Sequence, residues 1–140
     1  MPTIIEYADP LHRDQVIALW RTVFAYPQAH NAPALVIDRK LAALDALFFV
    51  ALTDGAVAGT VMAGYDGHRG WLYSLAVHPA HRKQRMGTDL VRHAEAALTA
   101  RGCLKINLQI ADGNEAVAGF YETLGYCVET RVSMGRITHV

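Results

Sequence analysis

The chain has 140 residues, about the length of one ordinary domain, and its 52% apolar content is enough to fill a core. Thirteen Lys and Arg residues balance thirteen Asp and Glu, so no overall field draws it onto nucleic acid or an anionic membrane, and any bound anion must be held locally. Met1-Pro2-Thr3-Ile4-Ile5-Glu6 lacks the basic-then-apolar order of a signal peptide, and no run approaches the roughly 20 apolar residues of a membrane span. A cytoplasmic location and a single domain over 1–140 are therefore expected.

In chain order, Ile4, Ile5 and Tyr7 predict a short strand, and Asp9-Pro10 reads as an N-cap followed by proline at the first helical position. Val16, Leu19, Trp20, Val23 and Phe24 recur at helical spacing and mark the first helix. Pro27 and Pro33 bracket a polar loop, and Ile37, Leu41 and Leu44 predict a second, shorter helix. Leu47 to Leu52, the turn Asp54-Gly55 and Val57 to Tyr65 read as a β-hairpin. After the loop Asp66 to Gly70, Trp71 to Val77 is a third strand in series, ended by His78-Pro79 because proline cannot continue a ladder. From Gly87, the residues Leu90, Val91, Ala94, Ala97 and Leu98 trace a helical face that stops at Gly102. Ile106, Leu108 and Ile110 alternate with polar residues as a half-buried strand. Ala116 to Leu124 reads as a short helix capped by Asn114 and closed by Gly125, and Val128 to Met134 as a last strand. The expected class is mixed α/β (α+β).

Chemistry concentrates where the strand Trp71 to Val77 passes through His78 to Met86 into the helix near Gly87. A helix N-terminus exposes unpaired N–H groups and about half a positive charge, which suits phosphate. Arg82, Lys83 and Arg85 add side-chain charge there, and Gly87 lets a ligand approach the backbone. The plainer reading of the same residues is a solvated basic turn leading into an amphipathic helix. Neither a P-loop nor a dinucleotide-binding glycine pattern is present, and the four residues Arg82-Lys83-Gln84-Arg85 make too small a footprint for nucleic acid. His78 and His81 lack the further ligands a zinc site needs, so no metal is expected. Cys103 and Cys127 fit no paired metal spacing and are expected to be reduced, partly buried packing residues.

The run Leu75-Ala76-Val77-His78-Pro79-Ala80-His81-Arg82-Lys83-Gln84-Arg85-Met86-Gly87-Thr88-Asp89-Leu90 resembles the coenzyme A pyrophosphate loop of the GNAT (N-acetyltransferase) superfamily, whose pattern is Gln/Arg-x-x-Gly-x-Gly/Ala. Arg82 and Gly87 match its ends, while Arg85 stands where the family usually has glycine. A helix-start conformation needs no positive φ, so arginine is expected to fit there and to meet a phosphate itself. A second stretch, Asn114, Phe120, Tyr121, Leu124, Gly125 and Tyr126, resembles the family's Asn-x-x-Ala-x-x-Phe-Tyr-x-x-Leu-Gly-Phe/Tyr, with Val117 at the alanine position. The resemblance covers about Leu47 to Met134, and Gly64 to Gly70 with Tyr73 and Val77-His78-Pro79 is most similar to the small bacterial YpeA-type members.

The resemblance implies a mixed central sheet flanked by about four helices and transfer of an acetyl group from acetyl-CoA to an amine. It implies that Leu75, Ala76, Val77, Arg82, Lys83, Gln84, Arg85, Met86, Gly87, Thr88, Asn114 and Tyr121 hold the cofactor, with amides near Leu75 and Val77 polarising the thioester. Tyr121 stands where the family has a general acid, a fitting role because a phenol of pKa ~10 is protonated at neutral pH. A protonated amine is no nucleophile, so a base is also required. Asp66, His68, Tyr73 and water are the candidates, since the strand Trp71 to Val77 carries no carboxylate. The implied acceptor is a small-molecule or peptide amine, a homodimer is compatible with the family, and a non-catalytic acyl-CoA sensor on the same fold is the rival reading.

Overall fold

Apolar residues alternating through the first two thirds of the chain fold as a sheet because each of its faces finds a helix to bury against. The computed structural model describes residues 2–26 and 28–138, which form two compact units, Met1–Gln109 and Ile110–Val140. Pro27, one of the prolines expected to bracket a loop, lies outside the described residues, as does Met1.

The first unit runs β1 (Thr3–Glu6), α1 (Arg13–Val23), a 3₁₀ turn (Ala29–Asn31), α2 (Pro33–Ala42), β2 (Phe48–Thr53), β3 (Ala56–Tyr65), β4 (Gly70–Val77), a 3₁₀ turn (Pro79–His81), α3 (Met86–Ala100) and β5 (Ile106–Leu108). Its sheet has the order β1-β2-β3-β4-β5, antiparallel except for the parallel β4–β5 pair. Alternation assigns the faces. Phe48 and Val50 of β2 join Val16, Leu19 and Trp20 of α1 and Ile37 of α2, whereas Phe49 packs its ring on His93 of α3 at 4.6 Å between centroids. Helices α1 and α2 therefore cover one face and α3 the other. Close approach of α3 depends on Gly59, where a Cβ would lie 2.9 Å from Leu90 Cδ1 and 3.1 Å from both Ala76 O and Met86 Sδ.

Several boundaries differ from expectation for identifiable reasons. Asp9 does not cap α1. Its carboxylate accepts from Tyr7 Oη and Arg13 Nε, both at 2.7 Å, and the helix begins at Arg13 with His12 before it. Helix α2 ends at Ala42, so Leu44 is not its third apolar position. It has φ 52° and is 89% exposed, in a loop held by Asp45, which accepts from Lys40 Nζ at 2.8 Å and from Leu47 N at 3.1 Å. Lys40, itself buried, also donates to Ala63 O and lies 5.3 Å from the centroid of the Tyr73 ring. That pairing is what allows an ammonium inside the fold. Cys103 is buried but Cys127 is exposed.

In the second unit a 3₁₀ turn (Glu115–Val117) precedes α4 (Ala118–Thr123). Asn114 adopts φ −117°, ψ 28°, away from the extended capping conformation, and its side chain makes no capping bond. The amide of Gly113 is instead satisfied by Glu115 Oε1 at 2.9 Å. Gly125, at φ 99°, ends α4 as expected. The expected strand Val128 to Met134 is absent. Val128, Val132 and Met134 are all exposed, so the alternation marks no buried face, and alternation alone does not make a strand.

Candidate active site

Two features of β4 build the site. First, its pairing with β5 covers Gly70↔Ile106, Trp71↔Asn107 and Leu72↔Leu108, so among the described residues no strand of the sheet pairs with that edge from Tyr73 to Val77. A cavity of about 380 Å³, lined by Trp71, Leu72, Tyr73 and Gln109, opens at this fork. Second, the β3–β4 register jumps from Met62↔Tyr73 to Thr60↔Ala76, so Ser74 and Leu75 together oppose Val61. This is a β-bulge, and within it Ser74 takes a left-handed φ of 54°. The alternation resets across it: Tyr73 meets Lys40 of α2, and Ala76 rather than Leu75 next joins the α1–α2 core.

The bulge aims an amide. Thr60 Oγ1 donates to Ser74 O at 2.9 Å, drawing that carbonyl toward β3. In a trans peptide the C=O of Ser74 and the N–H of Leu75 point in opposite directions. The Leu75 N–H is thus directed away from β3, toward the edge that β5 has left.

Where β4 ends, His78 N pairs with Ala58 O, the 3₁₀ turn follows, and Arg82 Nε donates back to Val77 O at 3.3 Å. Arg82, Lys83, Gln84 and Arg85 are exposed, Gly87 and Thr88 half-buried, and Met86 is buried as the apolar plug beneath the turn. The first backbone bond back into this turn is Asp89 N to Arg85 O at 2.9 Å, and no side chain caps the helix. The amides of Met86, Gly87 and Thr88 accordingly lack intrahelical acceptors, as at any helix start. One expectation fails here: Arg85 is not in a helix-start conformation but at φ 65°, and Lys83 at φ 66° is left-handed too. Glycine fits the Arg85 position because it reaches this region without the roughly 1–2 kcal/mol that a Cβ adds. With open amides, flanking cations and an outward amide on the preceding strand, these residues fit the diphosphate and thioester of an acyl-CoA.

The base candidates separate on their surroundings. Asp66 accepts from His68 N and Arg69 N, both at 2.8 Å, and from the Trp71 indole; the two backbone bonds foremost hold its carboxyl below the ordinary value. It is a turn residue whose Oδ1 is engaged by two backbone N–H groups. His68 belongs to the same exposed turn. Tyr73 is 41% exposed at the fork.

Asn114 and Tyr121 lie in the second unit. There Tyr121 is buried, its ring meeting Phe120 and Tyr126 edge-on, and burial pushes its phenol up to about 12. Sequence reasoning missed Trp20, Thr60, Ser74 and Lys40 as parts of the site's framework. A signal for one pair existed: a buried indole N–H needs an acceptor, and Thr60 is a hydroxyl set in an otherwise apolar strand.

The sequence model described as the Acetyltransferase (GNAT) family matches residues 13–126. An acetyltransferase of Yersinia enterocolitica is 41% identical over 123 residues, covering 88% of this chain and 86% of that protein. Among solved structures, glucosamine-6-phosphate N-acetyltransferase from Arabidopsis thaliana superposes with a TM-score of 0.72 at 17% identity, covering 99% of both chains. AAC(6')-Iy in complex with the bisubstrate analog CoA-S-monomethyl-acetylneamine gives 0.77 at 19% identity, again over 99% of both. The last two likenesses show the fold, while the family match and the Yersinia relative show descent. The chain belongs to the GNAT family of acetyltransferases.

Proposed function

We propose that the chain is an N-acetyltransferase that takes its acetyl group from acetyl-CoA and passes it by direct attack to a small-molecule or peptide amine. We read 1–140 as one domain acting in the cytoplasm; the family match running across both compact units supports the single domain. The observation that carries the reading is the sequence of parts along β4 and α3. An outward Leu75 amide on the stretch of β4 beyond its ladder with β5 is followed by a basic loop and the open first turn of a helix.

Acetyl-CoA, when bound, supplies an acyl group activated as a thioester. The amides of Met86, Gly87 and Thr88, with Arg82, Lys83, Gln84 and Arg85, hold its diphosphate. Leu75, Ala76 and Val77 line the acyl arm, and the Leu75 N–H donates to the carbonyl oxygen where negative charge develops. Tyr121 gives its proton to the departing thiolate, a role supported by a pKa of about 12 that keeps the phenol protonated at neutral pH. Asn114, by the family pattern, reaches the cofactor. For the amine's proton, Asp66 is poorly suited: two backbone N–H bonds hold its carboxyl below the ordinary value, and the four residue steps from Gly70 to Ser74 put roughly 13 Å more between its turn and the bulge. The same distance tells against His68, leaving Tyr73 or water.

Thiol release from acetyl-CoA across a panel of amines, peptides and amino sugars tests the reading. Tyr121→Phe is expected to slow turnover by roughly 10²–10⁴ with acetyl-CoA still bound. Arg82→Ala is expected to weaken acetyl-CoA binding about tenfold. No binding at millimolar acetyl-CoA would reject the whole proposal.

A further inference from the structure

Thr60 sits in the middle of β3, fully buried at 0% exposure, with Trp20 of α1 buried above it at 1%. Trp20 Nε1 donates to Thr60 Oγ1 at 2.8 Å, and Thr60 Oγ1 donates to Ser74 O at 2.9 Å. The chain can run in one sense only. An indole nitrogen is a donor without acceptor capacity, so Thr60 must accept there, and its single proton is left for Ser74. We infer that Thr60, oriented by Trp20, is a positioning residue of the acyl-transfer site: it locks the β4 bulge so that the Leu75 amide faces the thioester.

A serine at φ 54° persists only when its surroundings hold it. What holds it here is not the ladder, which the bulge interrupts, but a side chain from the neighbouring strand fixed in turn by a helix across the core. Since the peptide plane is rigid, fixing Ser74 O fixes Leu75 N–H. A valine would fill nearly the same space as Thr60 while removing both the acceptor and the donor. The hydroxyl is therefore separable from the packing.

The inference rests on the acyl-CoA reading above, and the experiment keeps the two apart. The probe is acetyl-CoA carrying ¹³C at the carbonyl, with its stretch followed by infrared spectroscopy and its affinity by calorimetry. In the unsubstituted protein the stretch moves to lower frequency on binding. In Thr60→Val that shift is lost while the Kd stays within about threefold, because the helix turn that grips the diphosphate is untouched. Thr60→Ser restores the shift. A folded Thr60→Val with an undiminished shift, or a Thr60→Ser without one, overturns the lock alone. Absence of any shift in the unsubstituted protein rejects the Leu75 role and the lock with it; absence of binding rejects the acyl-CoA reading and everything built on it. Should Thr60→Val fail to fold by circular dichroism, Trp20→Phe leaves Thr60 in place and must weaken the shift; an undiminished one overturns the lock.

Discussion

Arg85 carries both a charge that suits an anion site and a backbone conformation that suits glycine. At φ 65° it bears the cost of a Cβ in the left-handed region, roughly 1–2 kcal/mol, against which a glycine would lose about 0.5–1 kcal/mol through the greater freedom of the unfolded chain. Arg85→Gly should therefore raise stability by about 0.5–1 kcal/mol in urea unfolding, whereas Arg85→Ala, which keeps the strain, should not. If the guanidinium meets a phosphate, both substitutions weaken acetyl-CoA binding alike. Equal stability of the two variants would show that the turn relaxes in arginine's favour. The motif itself was legible in the sequence, but the φ was not: spacing reveals that a position is special without revealing which dihedral makes it so.

Elements were legible where two independent signals agreed. The β2–β3 hairpin had alternation on both sides of Asp54-Gly55, and that turn has φ values of 52° and 80°, both left-handed as a two-residue hairpin loop of this kind requires. Helix α3 had an apolar stripe and a glycine stop, and Gly102 has φ 88°. Two readings that rested on a single signal failed. Leu44 continued a helical spacing that Asp45 and Lys40 interrupt, and Val128 to Met134 alternated without a buried face. The bulge at Ser74 was invisible because it arises from hydrogen bonds between residues 14 and 40 positions apart. Gly59 shows how closely two elements can depend on one position. Gly59→Ala places a methyl against Leu90, Met86 and the fixed carbonyl of Ala76, so α3 must lift from β3. The expected loss is about 1–3 kcal/mol by thermal or urea unfolding, accompanied by weaker acetyl-CoA binding on the proposed reading, which puts the diphosphate at the first turn of the same helix. A variant as stable as the parent would mean that the Leu90 and Met86 side chains absorb the methyl and the helix stays in place.

For the whole molecule, balanced charge removes any strong global self-repulsion near neutral pH, so stability against pH follows the groups whose pKa folding moves. Asp9, Asp66 and Glu115 are all held below their ordinary values of 3.8 and 4.5, by hydrogen bonds from Arg13, from Arg69 N and from Gly113 N respectively. What they contribute is present above those values and lost as pH falls through the depressed ones. On the alkaline side, burial pushes Tyr26 and Tyr121 up to about 12 from 10.0, and Tyr7 is raised by burial and by its bond to Asp9. Between pH 10 and 12 the unfolded chain releases these protons while the folded one keeps them, so the unfolded state binds fewer protons and stability falls as pH rises. Thermal midpoints followed across pH should thus show a plateau bounded by an acid limb below about pH 4 and an alkaline limb above about pH 10. Tyr26→Phe combined with Tyr121→Phe should flatten the alkaline limb and leave the acid one in place. An alkaline limb as steep in the double variant as in the parent would assign it to other groups, Tyr7 first among them.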